Sequence, residues 1–265
     1  MKVTANGIGI HCTLEGSESA PVITLSHSLS TNLTMWEPQM ETLLRSHRVL
    51  RYDTRGHGGT DGSEGPYTLE MLAEDLRALL HVLGIPKTHF MGISMGGMIG
   101  QVLALKAPEM LRSLILCDTS SEIPKDAGPI WEDRIRTAET RGMEAHVPAT
   151  IERWFTTGFR KARPEVIAGV SSMIRETSPR GYIGCAHAIR RLNLTDRLSR
   201  IKVPTLIVVG EEDPGTPVSA SRTIHEKIAD SELIILKSAS HLSNIEQAEA
   251  FNRTVSDFLD GIEAK

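Results

Sequence analysis

The chain has 265 residues, 40% of them apolar and 23% charged, enough to bury a sizeable core and unlike a disordered composition. A net charge of -4 and an aromatic content of 4% argue against nucleic-acid binding as the main function. No apolar run approaches the roughly 20 residues of a membrane helix, and the first fifteen residues contain no signal-like apolar stretch.

The three cysteines, Cys12, Cys117 and Cys185, are far apart and odd in number, and match neither a disulfide framework nor a metal cluster. The expectation is a cytoplasmic protein with no metal, cofactor, membrane or nucleic-acid partner. The sequence leaves a homo-oligomer open.

Taken in chain order, Val3–Leu14 reads as two strands around the turn Asn6-Gly7, and Val22–Ser26 as a buried strand. A helix is predicted over Thr34–Leu44. The strand His47–Asp53 runs into the glycine-rich loop TRGHGGTDG. In Thr68–Leu83, leucines at 69, 72, 76, 79, 80 and 83 recur at helical spacing. Strand His89–Ile93, helix Met95–Lys106 ending before Pro108, and strand Ser113–Cys117 follow. This βαβα order implies a mostly parallel central sheet flanked by helices on both faces.

Residues 121–195 contain no strong strand. Prolines at 124, 129, 148, 164 and 179 punctuate amphipathic segments, and 12 Lys+Arg, ten of them arginine, face 9 Asp+Glu. After residue 196, strand Thr205–Val209, helix Ser219–Ala229, strand Leu233–Leu236 and helix Ala248–Leu259 restore the alternation. The expected organisation is one α/β core, 1–120 and 196–265, interrupted by a helical cap, 121–195. The cap is mildly basic and the core acidic.

Gly92-Ile93-Ser94-Met95-Gly96 fits G-x-S-x-G between a strand and a helix, the setting in which that pattern presents a nucleophilic serine. Glycine at 92 and 96 gives the sharp turn room, and the helix start behind Ser94 favours negative charge. A serine needs a base, and the base an orienting acid. In this arrangement the two partners follow the serine in chain order.

Glu211, Glu212 and Asp213 follow the strand TLIVV, and Asp213, short and just before Pro214, is preferred, with either glutamate as fallback. His241, after the last strand, is the base. Of the other nine histidines, His57 in the glycine loop reads as a structural hydrogen-bonding group. The oxyanion donors are expected to be the backbone N–H groups of Met95 and Leu29.

These stretches identify the chain as resembling the α/β-hydrolases over its whole length and, within them, the 3-oxoadipate enol-lactonases. The resemblance is carried by SHSLSTNLTMWEPQ, RYDTRGHGGTDGSEGPYTLEMLAEDL, HFMGISMGGMIGQ, GEEDPGTPV and SHLSNIEQAEAFN, and in the middle segment by WEDRIRTAETRGM, ERWF and GYIGCAHAI. Ser28 departs from the glycine most α/β-hydrolases have there, and Ser30 from the glycine usual in the enol-lactonase group.

The resemblance implies cofactor-free hydrolysis of a small anionic lactone through an acyl-enzyme on Ser94, giving 3-oxoadipate in aromatic degradation. An arginine is expected to hold the lactone carboxylate, with Arg134 the candidate and Trp131 an apolar wall. Other esters or lactones, and a non-catalytic binding role, are the competing readings.

Overall fold

The computed structural model describes residues 1–264. Eight strands form one sheet: β1 (Lys2–Ala5), β2 (Ile8–Glu15), β3 (Val22–Ser26), β4 (Arg48–Tyr52), β5 (Thr88–Ile93), β6 (Leu111–Cys117), β7 (Thr205–Gly210) and β8 (Ser231–Leu236). Their spatial order is β1-β2-β4-β3-β5-β6-β7-β8. The β1-β2 and β2-β4 pairs are antiparallel and the rest are parallel. The inner strands β5 and β7 are buried along their whole length. This explains why THFMGI and TLIVVG are apolar runs without polar alternation.

The helices are α1 (Glu37–Leu43), α2 (Leu69–Val82), α3 (Met95–Lys106), α4 (Gly128–Arg141), α5 (Val147–Trp154), α6 (Thr157–Ala162), α7 (Pro164–Glu176), α8 (Pro179–Ile189), α9 (Val218–Lys227), α10 (Ser243–Glu246) and α11 (Ala248–Glu263). Helix α2 packs on α3, and α1 packs on α11. Helix α3 is buried from Met95 to Ala104, and its sequence is accordingly apolar on every side.

One predicted helix is divided. Over Thr34–Leu44 the chain first makes a 3-10 turn, Leu33–Trp36, and then α1. Pro38 has no N–H to give to the Thr34 carbonyl, so the α-helical ladder starts afresh at Glu37.

Helices α4 to α8 all lie between β6 and β7. The two chain crossings at the base of this segment are joined by an isolated bridge between Glu122 and Asn193. Leu194 N–H to Ser121 O (2.7 Å) and Ile123 N–H to Leu192 O (3.1 Å) flank it. Helix α8 approaches the glycine loop backbone to backbone: a Cβ at Gly181 would overlap the Gly56 carbonyl. Tyr67 N–H also donates to Gly184 O (3.3 Å). Two glycines in α8, costly to helix propensity, are therefore explained by close packing.

Candidate active site

Ser94 sits between β5 and α3 with φ 54° and ψ -115°, a left-handed conformation that only glycine adopts freely. The turn is held from both sides. Ser94 N–H donates to Cys117 O at the end of β6 (2.9 Å), and the Thr119 hydroxyl donates to Ser94 O (2.7 Å). A Cβ at Gly92 would strike the Gly96 backbone, and one at Gly96 the Ser26 carbonyl. The two glycines of the motif are thus required by contact between the turn, α3 and β3.

Asp213 and His241 meet in the same place. His241 Nδ1 is 2.8 Å from Asp213 Oδ2, and both side chains are buried. The rest of the carboxylate is saturated: Thr216 Oγ1 donates to Oδ2 (2.6 Å), and the N–H groups of Gly215 (2.7 Å) and Thr216 (3.1 Å) donate to Oδ1. Burial opposes ionisation of Asp213, but His241 and the Thr216 hydrogen bonds outweigh it and hold the carboxyl below its ordinary value. Glu211 and Glu212 are exposed. Ser94 and His241 line one cavity of about 470 Å³.

The loop after β3 forms another part of that wall with Ser28, Leu29 and Ser30. Leu29 N–H has no acceptor among the described residues. The first N–H groups of α3, beginning at Met95, have no intrahelical acceptor either. Of the two expected oxyanion donors, Leu29 lines the cavity holding Ser94, and Met95 follows Ser94 directly at the start of α3.

The loop is shaped by two buried histidines. His27 Nδ1 lies 2.7 Å from Ser28 O while Nε2 accepts from Thr54 N–H (2.9 Å). His57 Nε2 accepts from Ser30 N–H (3.2 Å). Burial and then the neighbouring His27 bring the His57 pKa down to about 3, so it is a neutral acceptor at ordinary pH. Ser30 has φ 65°, a conformation that glycine adopts more freely.

The opposite wall comes from the segment between β6 and β7. Trp131 and Arg134 of α4 both reach the cavity, with the Arg134 guanidinium 4.7 Å above the Trp131 ring. Arg153 of α5 and Tyr182 of α8 line it as well. Sequence reasoning missed Arg153: it stands 19 positions beyond Arg134 among eight other arginines, with nothing local to distinguish it.

Among the described residues neither Arg134 nor Arg153 forms an ion pair, and Arg153 is left with the Thr150 hydroxyl (3.2 Å). Burial, then the charge of Arg134, lower the Arg153 pKa to about 10, which leaves it charged at neutral pH. Two uncompensated guanidiniums therefore face the space beside Ser94. Trp154 adds an apolar surface, with its ring stacked 6.1 Å from His241.

A further buried acid was not singled out from sequence. Asp118, directly after β6, accepts from Gly210 N–H (2.8 Å) and the Ser243 hydroxyl (2.5 Å). It braces the two loops that carry Asp213 and His241. Burial, then the nearby Asp213, push its carboxyl well above the ordinary range.

The fold and this site define a hydrolase of the α/β type. Residues 21–248 match the family model for the alpha/beta hydrolase fold, and the chain belongs to that family. It is 36% identical over 253 residues to 3-oxoadipate enol-lactonase 2 of Acinetobacter baylyi, covering 96% of this chain and 94% of that protein. The crystal structure of the enol-lactonase from Burkholderia xenovorans LB400 superposes with a TM-score of 0.95 at 38% identity, covering 98% of this chain and 100% of that one. A malate-bound thermophilic esterase from Thermogutta terrifontis is 28% identical, with a TM-score of 0.92 over 99% and 98% of the two chains.

Proposed function

We propose that the protein hydrolyses a small lactone bearing a carboxylate, specifically 3-oxoadipate enol-lactone, to 3-oxoadipate. The observation that carries this reading is the pair Arg134 and Arg153, charged and without acidic partners, on the wall of the cavity that holds Ser94 and His241. A guanidinium binds a carboxylate bidentately, and a desolvated one without a partner gains most from it. The names of the Acinetobacter and Burkholderia relatives support the lactone, and the malate-bound esterase supports an anionic ligand on this fold.

In this reading Ser94 Oγ attacks the ring carbonyl while His241 takes its proton. Asp213 holds the imidazole and stabilises its charged form. The tetrahedral oxyanion lies between the N–H groups of Leu29 and Met95, each donor contributing about 3 kcal/mol to the transition state. Collapse breaks the ring C–O bond and expels an enolate, which takes the proton from His241 and becomes the ketone, leaving the imidazole neutral. Water, losing its proton to His241, then cleaves the acyl-enzyme and frees Ser94. The segment 121–195 serves as a cap that supplies the anion-binding wall. The product places the enzyme in cytoplasmic aromatic catabolism, in the β-ketoadipate route.

The apolar share of the cavity, with Trp131, Trp154 and Ile130, also suits a neutral aryl ester. The comparison of kcat/KM for enol-lactone and phenyl acetate separates the two, and a value no better for the lactone overturns the first. A serine-reactive phosphonate is expected to label Ser94. Ser94→Ala is expected to stay folded and lose turnover by about 10⁴-fold or more. An active Ser94→Ala would sink the mechanism, and a wild type that is neither labelled nor active would favour a binding role.

A further inference from the structure

The end of α5 and the histidine loop are tied together by a small set of bonds. The Ser240 hydroxyl donates to Arg153 O (2.8 Å), and Leu242 N–H donates to Trp154 O (3.2 Å). Both acceptors belong to residues that line the cavity. Both donors are immediate neighbours of His241.

Glu246, the last residue of α10, completes the connection. Its Oε2 accepts from Ser240 N–H (2.8 Å). Its Oε1 accepts from Thr156 N–H (3.0 Å) and, in a short hydrogen bond, from the Thr156 hydroxyl. Glu246 is only 8% exposed, and among the described residues its carboxylate has no cationic partner. A buried carboxylate is expensive unless its oxygens are hydrogen-bonded, and here every donor comes from one of the two segments being joined. Asp213 is already satisfied by Thr216 and Gly215, so Glu246 is not part of the acid–base relay.

We propose that Glu246 is a positioning residue that fixes the separation between the anion site at Arg153 and the base His241. The inference rests on the functional reading above, in which Arg153 holds a carboxylate and His241 moves the proton. A small substrate with a carboxylate at one end and a reacting carbonyl at the other needs that separation held. A misplacement of about 1 Å can cost a hundredfold in rate. A neutral ester, held only at its carbonyl, does not.

The test is steady-state kinetics of the wild type, Glu246→Gln, Thr156→Val and Thr156→Ser on enol-lactone and on phenyl acetate, with phosphonate titration of Ser94. Glu246→Gln turns an acceptor into a donor facing donors. Thr156→Val removes only the hydroxyl, so it carries the test if Glu246→Gln does not fold. Both are expected to lower kcat/KM for enol-lactone about tenfold beyond any loss on phenyl acetate, the scale of one charge-assisted hydrogen bond. Thr156→Ser is expected to restore it.

Equal losses on both substrates, or no rescue by serine, would overturn the coupling while wild-type preference for the anionic lactone stands. A wild type with no such preference, or no labelling at Ser94, overturns the underlying functional reading and the coupling with it.

Discussion

Arg153→Met is the substitution that most directly separates anion recognition from ester chemistry. Arg153 is half-buried, its guanidinium meets only the Thr150 hydroxyl among the described residues, and burial and then the like charge of Arg134 depress its pKa. Removing it therefore breaks no ion pair among the described residues. Methionine retains much of the stem's apolar packing. What is lost is a charge-assisted hydrogen bond to the ligand, about 1.5–3 kcal/mol, or roughly tenfold to 150-fold in kcat/KM.

The loss should appear on the carboxylate-bearing lactone and leave phenyl acetate within about twofold, because Ser94, His241 and Asp213 are untouched. Thermal unfolding should show no fall in Tm, since relief of the repulsion from Arg134 offsets lost contacts. Parallel kinetics on the two substrates are the assay. Equal losses on both, or an unchanged lactone rate, would refute the assignment of Arg153 to anion binding.

Two further outcomes concern pH. The His57 pKa is about 3 in the fold against 6.5 ordinarily, so neutral His57 stabilises the protein fully above pH 6.5 and progressively less as pH falls toward 3. His57→Gln should flatten stability against pH in that window by up to about 1.4 kcal/mol per pH unit; equal slopes in both proteins would count against it. Asp118 behaves in the opposite sense. Its carboxyl is raised in the fold, so the unfolded chain releases the proton first and stability declines as pH rises above the ordinary carboxylate range. Asp118→Asn, still able to accept from Gly210 N–H, should gain Tm relative to wild type at pH 8 and not at pH 4, and a wild-type advantage that grows with pH would contradict this.

Much of the sheet was legible because its interior strands are buried on both faces, which leaves apolar runs such as THFMGI and TLIVVG in the sequence. Ser94 was legible because the turn demands glycines at fixed offsets. Asp213 and His241 could be placed by order after particular strands, although only the fold brings Asp213, and not the exposed Glu211 or Glu212, to the imidazole.

The remainder depends on long-range contact and leaves no local signature. Arg153, like Arg134, is set apart from the other arginines of its segment by facing the cavity. Glu246 receives hydrogen bonds from Thr156, 90 positions away. The His11–Asp53 pair (2.7 Å) joins residues 42 apart, so the partner of His11 was invisible in sequence. The break before α1 was readable in principle from Pro38.

The backbone at Ser94 has a consequence for how this protein can change. At φ 54° and ψ -115° a serine is held where glycine would rest without strain, at a cost of order 1–3 kcal/mol. The serine to which we assign the chemistry thus stands where the backbone favours glycine. Selection for heat resistance alone would favour glycine there, and on the proposed mechanism the sturdier protein would be inert, so serine at this turn would mark catalysis kept against the preference of the scaffold.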